Sequence, residues 1–183
     1  MIQQEEIVQG DLLYHAVHGL CRVSEIVKRN QSGKETLCYS LVPKVGNKMK
    51  VRFIIAVAGM EDSGFHGLIS VKQANEILDY LKSGDSAAIP SGVEPKEPFS
   101  AVPENQTWDL AHMIWSFSHN HLEVKDQKKR QQLERSVKGL VGELAFVFKM
   151  TLKEAAARIQ KSLGNVSKIN PAVLLALAHA GED

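Results

Sequence analysis

Seven histidines and two cysteines are the side chains in this sequence best suited to hold a metal or to serve a nucleophile. The nearest approach to a ligand pattern is His119-Asn120-His121. On a helix, two residues separated by one other point well apart, and no third ligand follows at a workable spacing. The segment therefore reads as polar residues closing a helix before Leu122, and a metal-dependent nuclease is the remote alternative. His15 and His18, read as residues of a strand, fall on opposite faces. Cys21 and Cys38 form no CxxC and no ligand pattern with histidine; both take apolar strand positions, as buried reduced thiols do. The chain has no phosphate-cradling GxxxxGK[ST], no GxSxG and no paired carboxylates in a glycine-rich frame. The expectation is a protein with no catalytic residues, no metal site and no cofactor, and so not an enzyme.

Binding chemistry is better represented. The net charge is +1, but residues 22–52 hold eight basic and two acidic side chains, 53–109 three and nine, and 110–183 eleven and seven. Two basic segments flank an acidic one, which gives two faces able to meet an anionic partner. The densest basic run is Lys125-Asp126-Gln127-Lys128-Lys129-Arg130. Both tryptophans fall on one expected helix. Trp115 lies beside the stripe of Ile114 and Phe117 and reads as core; Trp108, at the helix start, reads first as core or staple packing and is the better candidate of the two for an exposed aromatic.

These side chains need elements to position them. Residues 12–14, 20–28, 36–43 and 48–54 read as strands. Gly19 marks a sharp bend, and the strand after it slips phase where Val23 is followed by Ile26 and Val27. Asn30-Gln31-Ser32-Gly33 and Val45-Gly46-Asn47 suit hairpin turns. Locally connected strands without intervening helices argue for a small SH3/Tudor-like β-barrel. Gly59, Gly64 and Gly67 then read as a loop. Ser70 and Gln73 form a capping box for a helix that Gly84 ends, with its apolar stripe expected to cover the barrel. Pro90, Pro95, Pro98 and Pro103 make 84–106 a stiff linker. Beyond it, Asn105 or Thr107 caps one helix, a longer one starts near Lys125, Thr151 and Glu154 box a third, and Asn170-Pro171 opens a short apolar tail. Val173-Leu174-Leu175 and Leu177 either complete the bundle or form a contact between copies. The expected class is α+β: a barrel with covering helix over 1–83, the linker, and a three- or four-helix bundle over 107–183.

An apolar fraction of 44% with 23% charged residues is ordinary for a globular protein. No apolar run approaches a membrane span, and the first twenty residues lack the pattern of a secretion signal. The expectation is a cytoplasmic protein with no membrane partner.

Gly10-Asp11, Tyr14-His15 and His18-Gly19, then the basic hairpin and Lys50-Val51-Arg52 ahead of an apolar run, resemble the amino-terminal module of the CarD/CdnL family. That module is similar to the RNA-polymerase-interacting domain of bacterial transcription-repair coupling factors. Leu110-Ala111, Lys128-Lys129-Arg130 and Leu140-Val141-Gly142-Glu143-Leu144-Ala145 resemble the family's helical carboxy-terminal domain. The resemblance covers residues 8–83 and 106–164. It implies a regulator whose barrel docks on the β subunit of bacterial RNA polymerase, whose helical domain contacts upstream promoter DNA, and which together modulate open-complex stability. Arg52 matches the arginine of the polymerase contact, flanked by Lys50 and Val51. Arg29 matches a basic hairpin residue that reaches DNA phosphate, and Lys128, Lys129 and Arg130 extend that track. Lys96 falls near a family lysine. The family's tryptophan at the melting bubble has no counterpart in Pro90-Ser91-Gly92-Val93-Glu94-Pro95-Lys96. Phe99 or Trp108 is then the aromatic left to act as a wedge, and the second reading is a protein-protein adaptor that has lost DNA wedging.

Overall fold

The computed structural model describes residues 7–31, 34–44, 51–84, 106–119 and 126–182. The chain divides into two compact units, Met1–Leu68 and Ile69–Asp183.

The first unit is a curled five-stranded antiparallel sheet, a half-barrel, of β1 (Leu12–His15), β2 (Gly19–Gln31), β3 (Lys34–Pro43), β4 (Phe53–Ala56) and β5 (His66–Gly67). The strand order is β4-β3-β2-β1-β5. Gly19 opens β2 at φ +67, a left-handed conformation that glycine adopts without a Cβ penalty. The phase slip expected in β2 is a β-bulge: Val23 pairs with Leu41 and Glu25 with Ser40, so Ser24 is the extra residue. Its hydroxyl donates to the Ser40 carbonyl at 2.9 Å. One face of the sheet carries Leu13, Cys21, Val23, Tyr39 and Leu41 onto Met60 and Phe65 as a single core. Curling brings the sheet's two ends together. Phe53, on one terminal strand, meets Phe65, which leads into the other, at 5.7 Å between ring centroids.

The glycines at 59, 64 and 67 lead one to expect a loop over 59–67. In the structure Val57–Gly59 and Glu61–Ser63 are short 3₁₀ turns, and His66 and Gly67 pair with Tyr14 and Leu13. Two residues carry no strand period, so only the long-range pairing makes β5 visible. Residues 48–50, expected at the start of β4, lie outside the described residues.

The second unit is helical: α1 (Val71–Ser83), α2 (Gln106–His119), α3 (Gln127–Phe148), α4 (Leu152–Leu163) and α5 (Pro171–Glu182). Local stop and start signals hold. Ser70 with Gln73 and Thr151 with Glu154 form complete capping boxes, and Gly84 closes α1 in the left-handed region. Asn170 Oδ1 accepts the Ala172 N–H ahead of Pro171 at 3.0 Å. The helix expected to start near Lys125 starts at Gln127, with Asp126 as its cap accepting from the Lys128 N–H.

The place of α1 differs from the expectation. It belongs to the helical unit, not to the barrel. Its stripe of Ala74, Ile77, Leu78 and Leu81 is buried there, and Tyr80 donates to or accepts from His112 Nδ1 on α2 at 2.6 Å. Arg158 on α4 stacks over Phe148 at 4.1 Å and donates to Asn75 Oδ1 on α1 at 3.2 Å. The tail helix α5 buries Val173, Ala176, Leu177 and Ala180 and so completes this unit, while Leu175 stays exposed. The linker at 85–105 lies outside the described residues.

Candidate functional site

Arg52 lies immediately before β4, the strand that ends the sheet. Strand alternation puts Arg52 with Ile54 on the outer face, and Ile54 pairs with Ser40, which pairs with Glu25. Across that face the Arg52 guanidinium donates to Glu25 Oε1. The two side chains are 52% and 46% exposed, so the pair is hydrated and contributes under about 1 kcal/mol. A carboxylate from another molecule can therefore replace Glu25 at little cost, and a bidentate geometry would favour it. Val51 is exposed beside it. Lys50 lies outside the described residues.

The opposite face of the same strand end carries a ring cluster that sequence reasoning missed. Residues 16–18 form a turn rather than strand, so His18 folds back over His15 instead of pointing away from it. Their rings stack at 4.5 Å, and His18 also lies 4.4 Å from Phe53 of β4. His15 packs on Phe65 at 4.8 Å, and His66 meets Tyr14 edge-on at 5.9 Å. His15 Nδ1 accepts the Val17 N–H at 3.0 Å and the His18 N–H at 3.2 Å. That double acceptance fixes the neutral ring with its proton on Nε2. Burial, then the neighbouring His18 and His66, lowers its pKa from 6.5 to about 4. The glycine that follows the turn was the available signal, since a bend at Gly19 requires that the strand stop before it.

The expected nucleic-acid residues separate. Arg29 is exposed on β2 opposite Thr36, beside a solvated Lys28–Glu35 pair at 3.6 Å. On α3, Lys128 and Arg130 are exposed and Lys129 is half-buried. Arg135 and Lys138 continue the exposed line from Lys128 at helical spacing, so the basic stripe spans eleven residues, about 15 Å. Sequence reading stopped at Arg130 because the run of consecutive letters ends there, although the period does not. Lys96 and Phe99 lie outside the described residues.

Trp108 takes the core role read for it first, and so is not the exposed aromatic that its assignment to DNA contact requires. It is 3% exposed and packs edge-on against Tyr80 at 5.9 Å. With α1 folded into the helical unit, the start of α2 is interior, and the indole is spent there. Trp115 is half-buried, stacked on His119 at 4.7 Å and set against Gly84. Thr107 is likewise inside α2, not its cap: its hydroxyl donates to Glu143 Oε2.

His119 is exposed, and its Nδ1 lies 3.0 Å from the Trp115 carbonyl, a helix-terminal contact. His121 lies outside the described residues. Among the described residues no three histidine, cysteine, aspartate or glutamate side chains gather into a metal site. Nor is any described helix long and apolar enough to cross a membrane. Compared with known proteins, the chain matches no family model and no curated sequence.

Proposed function

We propose that the chain is an RNA-polymerase-binding transcription regulator of the kind it resembles, with the curled sheet acting as an SH3/Tudor-like docking module. The observation that carries this reading is the position of Arg52, exposed at the entry to the terminal strand β4. A terminal strand offers unpaired backbone donors and acceptors to a partner strand, and an arginine at its end adds a carboxylate clamp. The expected partner is the bacterial RNA polymerase β subunit. In the helical unit, Lys128, Arg130, Arg135 and Lys138 suit phosphate contact with promoter DNA, which positions a protein without reading bases.

Burial of Trp108 favours a second reading. Without that indole, no described aromatic assigned to DNA remains to wedge a base step. The chain then acts as a protein-protein adaptor on the polymerase and does not open DNA by insertion.

The test is binding of the purified chain to the amino-terminal lobe of a bacterial RNA polymerase β subunit, with Arg52→Glu and Glu25→Gln beside the native sequence. Arg52→Glu should weaken binding at least tenfold, since it repels the partner carboxylate and sets two acids face to face. Glu25→Gln should leave binding unchanged or tighten it, because the guanidinium is released to the partner. No binding by the native chain would end the polymerase reading.

A further inference from the structure

We propose that the turn at 16–18 is a proton-operated latch on the terminal strand β4: with His15 neutral it is closed and holds His18 against Phe53, and proton uptake by His15 releases both. The proposal deepens the docking reading, since β4 is the docking edge there, but the latch itself is a property of the free chain.

The Val17 and His18 backbone N–H groups both point at one atom, His15 Nδ1, at 3.0 and 3.2 Å. An imidazolium carries hydrogen on Nδ1 and has no lone pair there to accept either bond. Protonation therefore cannot be accommodated in the closed turn: two donors would face a third. The turn has to open, and its outermost ring leaves with it. That ring, His18, lies between His15 at 4.5 Å and Phe53 at 4.4 Å, and it is the turn's contact with the far terminal strand.

The titratable groups facing His15 both oppose a positive charge. His18 comes from the turn and His66 from β5, and both lower its proton affinity; Phe65 supplies an uncharged wall at 4.8 Å. Phe53 begins β4 and follows Arg52 directly, so losing the His18 ring leaves it held on this side by Phe65 at 5.7 Å and loosens the strand end that carries the guanidinium.

The test uses the full chain labelled with ¹⁵N and titrated from pH 7.5 to pH 3.5, with amide and imidazole nitrogen shifts recorded. At pH 7.5 the His15 ring should report the proton on Nε2. The amides of Val17, His18 and Phe53 should then move together in one transition with a midpoint near 4, while Val173 in α5 stays in place. His15→Asn supplies a side-chain acceptor for the turn and no titrating ring. In that variant the shared transition should vanish. His18→Phe keeps a ring on Phe53 but removes one opposing imidazole, so the His15 midpoint should rise. Binding of the polymerase β lobe should fall more steeply through this range in the native chain than in His15→Asn, the titration of the partner carboxylate being common to both. If Phe53 does not move with Val17 and His18, if His15→Asn titrates as the native chain does, or if the whole chain unfolds in one step, the latch is overturned. A latch that titrates as described in a chain that binds no polymerase at any pH sinks the docking reading alone.

Discussion

Glu143 and Thr107 face each other in the interior of the helical unit, the Thr107 hydroxyl donating to Glu143 Oε2 at 2.8 Å. The other carboxylate oxygen accepts the Ile69 backbone N–H at 3.3 Å. Glu143 has no exposed surface and Thr107 is 1% exposed. One side chain on α3 thus ties together the start of α2 and the segment that leads into α1. A carboxylate withdrawn from water is costly unless donors surround it.

Thr107→Val should therefore cost roughly 1.5–3 kcal/mol, the range for removing a bond to a buried charged group. Glu143→Ala should cost more, because it leaves a cavity and strips two donors of their acceptor. Urea melts followed by tryptophan fluorescence read this directly, since both tryptophans lie on α2. A Thr107→Val midpoint equal to the native one would remove Glu143 from the list of stabilising contacts.

Gly84→Ala meets two obstacles at once. The residue sits at φ +65, and an added Cβ would run into the Trp115 indole. The backbone conformation alone costs about 1 kcal/mol for a residue with a Cβ, and displacing a half-buried indole adds to it. A loss above about 2 kcal/mol, with a red shift in tryptophan emission, is the expected result.

Trp108 and the α3 stripe should respond in opposite ways. Trp108→Ala should destabilise the helical unit by roughly 3–5 kcal/mol, as large core truncations do. Lys128→Gln and Arg135→Gln should leave stability near native. Each should instead lower the slope of log affinity against log salt on duplex DNA by about one. Binding that is insensitive to salt would count against phosphate contact altogether.

The sheet should weaken in acid with a definite sign. His15 binds its proton at about 4 when folded against 6.5 for the free side chain. The unfolded chain therefore takes up the proton first. Stability is complete above pH 6.5, declines as pH falls toward 4 and levels off below it. Allowing for solvent screening of a half-buried ring, the loss is about 2 kcal/mol. Amide exchange at Leu13 and Val23, measured at pH 7 and pH 4.5, reports it; equal protection at both would contradict the sign.

What could be read from the sequence was local. The capping boxes at Ser70 and Thr151, the glycine stop at position 84 and the Asn170-Pro171 start each depend on a few neighbouring residues, and all stand in the structure. So does the phase slip in β2, because a bulge leaves its mark on the alternation itself. What escaped depends on partners distant in the chain. β5 exists through pairing with β1, some fifty residues earlier in register, as Tyr14 with His66. The same holds for Trp108, whose exposure turns on where α1 packs, and for Glu143, an acid buried where Thr107 and Ile69 supply donors. His15 and His18 escaped for a simpler reason: alternation applies only while the chain is strand, and it stops at His15.

The two cysteines sit on the same pair of strands but face away from each other. Cys21 pairs with Pro43 on the core side, and Cys38 pairs with Val27 on the other. Five residues of β3 separate those two positions, roughly 16 Å of strand, well beyond disulfide reach. Both are buried, and burial pushes the Cys21 thiol up to about 11. An oxidant therefore cannot staple the folded sheet, and an alkylating reagent reaches these sulfurs only when strands part. The rate of their modification is a clock for opening of the first unit, built into the native sequence and silent about the helices.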